Sequence, residues 1–128
     1  MADPKPLKDK VILITGAAQG HGEAVARYVA ARGAIVSLSD ITGDAVKATA
    51  QRIRGEYPES EALGHHVDVC NDDSVRNWVE GVKKQFGRIN GCVNNAGTSL
   101  SSLIIATQSL TIIQALMVSP PLWASSVL

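Results

Sequence analysis

The chain has 128 residues, the common size of one domain, and its twelve basic and twelve acidic residues give a formal net charge of zero. It contains no block of cationic residues, so the sequence argues against binding to nucleic acid or to anionic membrane surfaces. Cys70 and Cys92 are too few for a disulfide framework and match no zinc or redox spacing, which predicts reduced core thiols.

The first ten residues are polar and lack the apolar run of a signal peptide, which predicts a cytoplasmic protein.

The first strand is predicted over residues 11–15, because four consecutive aliphatic residues suit a strand that is buried on both faces. Gly16, Gly20 and Gly22 follow it and allow a sharp turn with no Cβ in the way.

A helix predicted to begin near His21 turns its unpaired first amides and its positive dipole end toward this glycine turn. The arrangement predicts an anion site suited to a pyrophosphate. A strand that doubles back onto a packed helix also gives a glycine-rich turn without any ligand. Over residues 23–32, the predicted core face of the helix carries Val25, Tyr28 and Val29, with Ala26 and Ala30 beside them.

The second predicted strand, residues 34–40, ends in Asp40, twenty residues after Gly20. A carboxylate at this place can accept hydrogen bonds from ribose hydroxyls and repels a 2′-phosphate, which predicts NAD in preference to NADP. The structural alternative for Asp40 is a strand-end cap or a turn residue. Ile41 follows it, with no arginine nearby in sequence to hold a phosphate.

Two further helices and two further strands are predicted after Asp40. The second helix, ending near Gly55, is followed by a strand over residues 62–69 and, after the third helix, a short strand over residues 89–94. The third helix has Asn71 as its predicted N-cap and Gly87 as its stop. The apolar stripe of the second helix comprises Val46, Thr49, Ala50 and Ile53, and that of the third comprises Val75, Trp78, Val79, Val82 and Phe86. The alternation of strand and helix predicts an α/β fold, a parallel sheet with helices on both faces.

Four features together resemble the short-chain dehydrogenase/reductase family. Residues 15–22, Thr-Gly-Ala-Ala-Gln-Gly-His-Gly, are similar to its Thr-Gly-x-x-x-Gly-x-Gly cofactor turn, and Asp40 stands at its NAD-selecting position. Asp68-Val69 resembles the pair that contacts the adenine, and residues 94–97, Asn-Asn-Ala-Gly, resemble an element that borders the cofactor. The cofactor-binding residues implied are Thr15, Gly16, Gln19, Gly20, His21, Gly22, Asp40, Ile41, Asp68, Val69, Asn94, Ala96 and Gly97.

The resemblance covers about residues 7–98 and implies a Rossmann-like doubly wound parallel sheet, truncated after about four strands. Residues 1–98 are thus interpreted as an NAD-binding half domain. At His21 the family usually carries an aliphatic residue, but a histidine still offers its backbone N–H, and we expect its ring to face solvent.

The resemblance also implies a reaction, hydride transfer between NAD(P) and an alcohol or ketone. Family members perform it with a serine and a Tyr-x-x-x-Lys motif, whose tyrosine gives or takes the substrate proton. This chain has Arg32 four residues after Tyr28 and Glu61 four residues after Tyr57. No catalytic residue is therefore predicted, and we expect no hydride transfer by the chain alone.

Residues 99–128 form an apolar tail without any charged residue. A helix over residues 103–118 is one interpretation, and a foreign ending from altered splicing, a frameshift or a misjudged gene model is another. A transmembrane span is disfavoured because polar residues interrupt the run. An open sheet edge beside this tail predicts a homo-oligomer or association with a full-length homologue. The functional alternatives are thus an oxidoreductase fragment, a non-enzymatic NAD-binding module and a membrane-associated protein.

Overall fold

The structure is a computed structural model, and it describes residues 5–95. Strands and helices alternate through this range. They are β1 (Val11–Thr15), α1 (Gly20–Ala31), β2 (Ile35–Asp40), α2 (Gly43–Glu56), β3 (Ala62–His66), α3 (Asp72–Phe86) and β4 (Gly91–Val93). Ala96, Gly97 and the whole predicted tail, residues 99–128, lie outside the described residues.

The four strands form one parallel sheet in the order β3-β2-β1-β4. The chain therefore winds outward from β1 to β3 and then returns to place β4 on the other side of β1. This reversal makes the space above the carboxyl ends of β1 and β4 a topological switch point, where ligands bind in open α/β sheets. The predicted α/β class and the parallel sheet are confirmed.

Helices cover both faces of the sheet. Consecutive residues of β1 show this most clearly, because Leu13 packs in the core beneath α3, whereas Ile14 packs in the core beneath α1 and α2. Both side chains are fully buried, as predicted for a strand covered on both sides. The indole N–H of Trp78 on α3 also donates to the buried hydroxyl of Ser37 on β2, at 2.8 Å.

Both predicted ends of α3 are confirmed. Asn71 caps the first turn, with its Oδ1 accepting from the backbone N–H of Ser74 at 3.0 Å. Gly87 ends the helix in the left-handed conformation, with φ of 78°.

The predicted core face of α1 was wrong at Tyr28. Its side chain is 59% exposed, and the Arg32 guanidinium lies 3.5 Å from the centre of its ring. The rest of the predicted face is confirmed, because Ala26 and Ala30 are buried together with Gly22, and Val25 and Val29 pack against the same core. Small residues face the sheet because α1 lies close against it, and the larger apolar side chains stand at the margin of the contact.

Other corrections concern strand ends and the cysteines. β3 stops at His66 and β4 spans only three residues, so both are shorter than predicted. Cys70 is exposed rather than buried, because it lies in the turn between β3 and α3. Cys92 is half-buried on β4, and burial raises the pKa of its thiol to about 11.

Among the helices of the described range, none combines the length and apolar character needed to cross a membrane.

Candidate functional site

The glycine turn joins β1 to α1 and requires glycine for two different reasons. Gly16 and Gly20 have φ of 62° and 64°, a backbone conformation that side chains disfavour. A Cβ on Gly20 would meet no atom of residues 5–95 within 4 Å, so these residues leave open space beside the start of α1. At Gly22 a Cβ would lie 2.3 Å from the carbonyl oxygen of Gly16, so glycine there permits close packing of the helix against the turn.

The beginning of α1 is not capped by its own side chain. Gln19 occupies the N-cap position in an extended conformation, and its side chain makes no capping hydrogen bond. A phosphate oxygen can therefore take the place that a capping oxygen occupies in other helices. The acidic residue of the first turn, Glu23, is paired with Arg27 at 2.8 Å, which offsets its repulsion of an anion. His21 is exposed, as predicted.

Asp40 lies directly against the glycine turn. Its Oδ2 accepts from the backbone N–H of Ala18 at 3.1 Å, and its Oδ1 accepts from the backbone N–H of Thr42 at 3.0 Å. The strand-end role considered from the sequence is thus present. Each carboxylate oxygen still has a lone pair for a further donor, so this role does not prevent ribose binding. The adjacent Ile41 is 60% exposed.

Asp68 and Val69 follow the carboxyl end of β3. The backbone N–H of Val67 donates to the carbonyl oxygen of Asp40 at 3.1 Å, which brings this segment to the same edge of the sheet as Asp40. The Asp68 Oδ1 accepts from the Cys70 N–H at 2.9 Å, and the Asp68 N–H donates to Ser74 Oγ at 3.0 Å. Val69 packs against the core beneath α3.

Asn95 connects the end of β4 to the glycine turn. Its backbone N–H donates to Thr15 Oγ1, and its side-chain Nδ2 donates to the carbonyl oxygen of Gly16, both at 3.0 Å. Asn94 is exposed. The predicted residue set contained Asn94 but not Asn95, although both asparagines of the motif were visible in the sequence.

Thr49 is a second residue that the predicted site omitted. It lies on α2, is fully buried, and its hydroxyl donates to the carbonyl oxygen of Ala18 at 2.8 Å. The sequence placed it only in the apolar stripe of the helix. Its hydroxyl was the available signal, because a buried hydroxyl needs a partner.

A different polar group is buried on β3 itself. The Nε2 atom of His65 is buried without a hydrogen-bond partner in the described structure. Burial, and secondarily the positive charge of Lys47, lowers the pKa of His65 below its ordinary value. Grooves of about 410 Å³ and 460 Å³ flank this strand, and no predicted cofactor residue of the described range lines either of them. Across residues 5–95, no group of three or more histidine, cysteine or acidic residues is arranged to hold a metal ion.

Comparison with known proteins identifies the family. The model of the family described as short chain dehydrogenase matches residues 10–119. The chain belongs to the short-chain dehydrogenase family. The match extends beyond residue 98, where the resemblance seen in the sequence ended. It therefore includes most of the predicted tail.

Several known relatives are about equally similar. Over 99 residues the chain is 36% identical to meso-2,3-butanediol dehydrogenase of Serratia marcescens, covering 77% of this chain and 38% of the relative. Over 100 residues it is 41% identical to the CLA biosynthesis dehydrogenase/reductase of Lactiplantibacillus plantarum, covering 78% of this chain and 34% of the relative. The chain thus spans little more than a third of these relatives' length.

Solved structures show the same Rossmann-like fold with either cofactor. NAD⁺-bound xylitol dehydrogenase aligns with a TM-score of 0.77 and 28% identity, over 87% of this chain and 48% of that one. L-sorbose reductase from Gluconobacter frateurii, complexed with NADPH and L-sorbose, aligns with a TM-score of 0.79 and 25% identity. The alignment covers 89% of this chain and 48% of that one. The family and fold therefore establish a dinucleotide-binding architecture, and the choice between NAD and NADP depends on the residues of this chain.

Proposed function

We propose that this chain binds NAD at the glycine turn, with Asp40 accepting hydrogen bonds from the ribose hydroxyls of its adenosine half. The observation that carries the proposal is the 3.1 Å contact between Asp40 Oδ2 and the Ala18 N–H, which joins the ribose-reading carboxylate to the phosphate-binding turn. The start of α1, which the side chain of Gln19 does not cap, provides the anion site beside it.

The other residues of the proposed site are those that the family resemblance implies. Asp68 accepts from the exocyclic amine of the adenine, and Ile41 and Val69 contact the ring. Backbone amides of residues 19–22 face the pyrophosphate. Thr15, Gly16, Asn94, Ala96 and Gly97 complete the cofactor-binding set. Bound NAD would supply a hydride acceptor at this site.

A preference for NAD over NADP follows from the same carboxylate. A 2′-phosphate placed on the ribose would lie against Asp40, and two negative groups at hydrogen-bond distance repel each other. NADP also lacks the free 2′-hydroxyl that can donate to Asp40. We therefore assign NAD as the cofactor.

We further propose that the chain does not transfer hydride unaided. The sequence contains no Tyr-x-x-x-Lys motif to provide the proton donor. Tyr28 does not replace it, since it stands on the exposed side of α1 with Arg32 stacked on its ring.

A second candidate is an NAD-binding module that associates with a copy of itself or with a full-length homologue in the cytoplasm. It is favoured by the position of β4, a three-residue strand that ends the sheet formed by residues 5–95. Mixing the purified chain with such a homologue and measuring complex size by analytical ultracentrifugation tests this candidate. Separate sedimentation at all concentrations argues against it.

Calorimetric titration with NAD and with NADP tests the first proposal. We expect NAD to bind at least about tenfold more tightly than NADP, the effect of one charge-assisted hydrogen bond. Asp40→Ala should remove the preference. Asp44→Ala, which deletes an exposed carboxylate from the first turn of α2, is the matched control and should retain it. Equal affinities of the unaltered chain for both cofactors would overturn the assignment.

A further inference from the structure

Thr49 makes a hydrogen bond that joins α2 to the middle of the glycine turn. Its hydroxyl donates to the carbonyl oxygen of Ala18 at 2.8 Å and accepts from the Arg52 guanidinium at 2.9 Å. The residue is fully buried, so the polar atom on an otherwise apolar helix face is engaged rather than solvated.

Ala18 is therefore held from two sides. Its N–H donates to Asp40 on β2, and its carbonyl oxygen accepts from Thr49 on α2. The preceding residue is also fixed, because the Ala17 N–H donates to the carbonyl oxygen of Ser39 at 3.0 Å. These contacts determine the path of the backbone between Gly16 and Gly20.

The hydrogen bond from Thr49 also sets the direction of the next amide. In a trans peptide the carbonyl of one residue and the N–H of the next point in opposite directions. With the Ala18 carbonyl drawn toward α2, the Gln19 N–H points away from α2. The same contact keeps the partial negative charge of that carbonyl oxygen turned toward the Thr49 hydroxyl.

We infer that Thr49 is a positioning residue of the nucleotide site, whose hydroxyl orients the peptide between Ala18 and Gln19 for binding the pyrophosphate. The inference rests on the proposed function. It adds a residue from α2 to a site otherwise built from the ends of strands and the start of α1. Arg52 supports this arrangement, since its guanidinium also lies 3.8 Å from Glu23 on α1.

Replacement of the hydroxyl by a methyl group tests the role of Thr49. Thr49→Val keeps the branched shape of the side chain and should weaken NAD and ADP about five- to tenfold, the effect of one hydrogen bond. Adenosine, which carries no phosphate, should bind as it does to the unaltered chain. Thr49→Ser keeps the hydroxyl and should restore the affinity for NAD. If the valine variant does not melt cooperatively, Thr49→Ala is titrated in its place.

Ser60 provides the matched control. Its buried hydroxyl donates to the carbonyl oxygen of Ala34, at the opposite end of β2 from Asp40. Ser60→Ala removes a comparable hydrogen bond and should lower the melting temperature without changing affinity for NAD.

Each outcome of the titration supports or overturns a separate statement. If the unaltered chain binds NAD and Thr49→Val binds it equally well, the inference about Thr49 is wrong and the proposed function stands. An equal loss of affinity for ADP and adenosine also contradicts it, because the effect then does not depend on the phosphates. If the unaltered chain binds no NAD, the proposed function fails and the inference fails with it.

Discussion

Gly22 is the position of the turn at which close packing most clearly excludes any side chain. A Cβ there would lie 2.3 Å from the Gly16 carbonyl oxygen and 2.8 Å from Asn95 Nδ2. One of these neighbours is backbone, so the turn itself would have to move. We expect Gly22→Ala to lower the free energy of unfolding by more than about 2 kcal/mol in urea denaturation and to abolish NAD binding.

Gly81 is the control for this substitution. It lies within α3, and among the described residues a Cβ on it would meet no atom within 4 Å. Gly81→Ala should raise the free energy of unfolding by about 0.5–1 kcal/mol, because alanine loses less conformational freedom than glycine in a helix. Equal destabilisation by both substitutions would show that the contact at Gly22 is not the cause.

His65 gives a prediction about pH. Burial and the charge of Lys47 lower its pKa in the folded protein, so the unfolded chain binds the proton more readily. Its contribution to stability is therefore lost as pH falls below about 6.5, the ordinary value for histidine. We expect the melting temperature to fall between about pH 7.5 and about pH 5.5 and His65→Gln to reduce this fall.

The exposed neighbour His66 is the control for the pH measurement. His66→Gln should leave the pH dependence close to that of the unaltered chain. If His65→Gln and His66→Gln change the slope equally, or neither changes it, the imidazole of His65 is not its source.

At the scale of elements, α3 was the helix best predicted because several signals agree in it. Its apolar residues follow one stripe, Asn71 caps its start, and Gly87 ends it. In α1 the apolar residues surround much of the helix, so periodicity placed Tyr28 on the core face together with Ala26 and Ala30. In the structure the alanine side of α1 packs on the sheet, and Tyr28 is exposed to solvent.

The cap of α3 provides a test at this scale. Asn71→Ala removes the acceptor of the Ser74 N–H and should lower the free energy of unfolding by about 1 kcal/mol. Asn77→Ala deletes an exposed asparagine from the same helix and should change it by less than about 0.5 kcal/mol. Chemical denaturation of both variants measures the difference, and equal values would contradict the capping role.

For the molecule as a whole, the sequence was sufficient to predict the order of the elements and the parallel sheet. It was not sufficient to predict the hydrogen bonds that join α2 and the end of β4 to the glycine turn. Thr49 bonds to Ala18 across 31 positions, and Asn95 bonds to Gly16 across 79. Such contacts depend on how α2 and β4 pack, which periodicity does not encode.

An assay of hydride transfer tests the proposed inactivity of the chain. With NAD and a panel of secondary alcohols, we expect the purified chain to produce no NADH, because its sequence lacks the Tyr-x-x-x-Lys proton donor. Near-ultraviolet absorbance of NADH measures the reaction, with heat-treated protein as the blank. Turnover above that blank would contradict the proposed inactivity.

The most direct test of the account is amide NMR of the isotopically labelled chain during titration with NAD. Binding at the turn predicts that the largest shift changes occur at residues 16–22, at Asp40 and Ile41, and at Asp68 and Val69. Saturable shift changes confined to the grooves beside β3, or none anywhere, would contradict it.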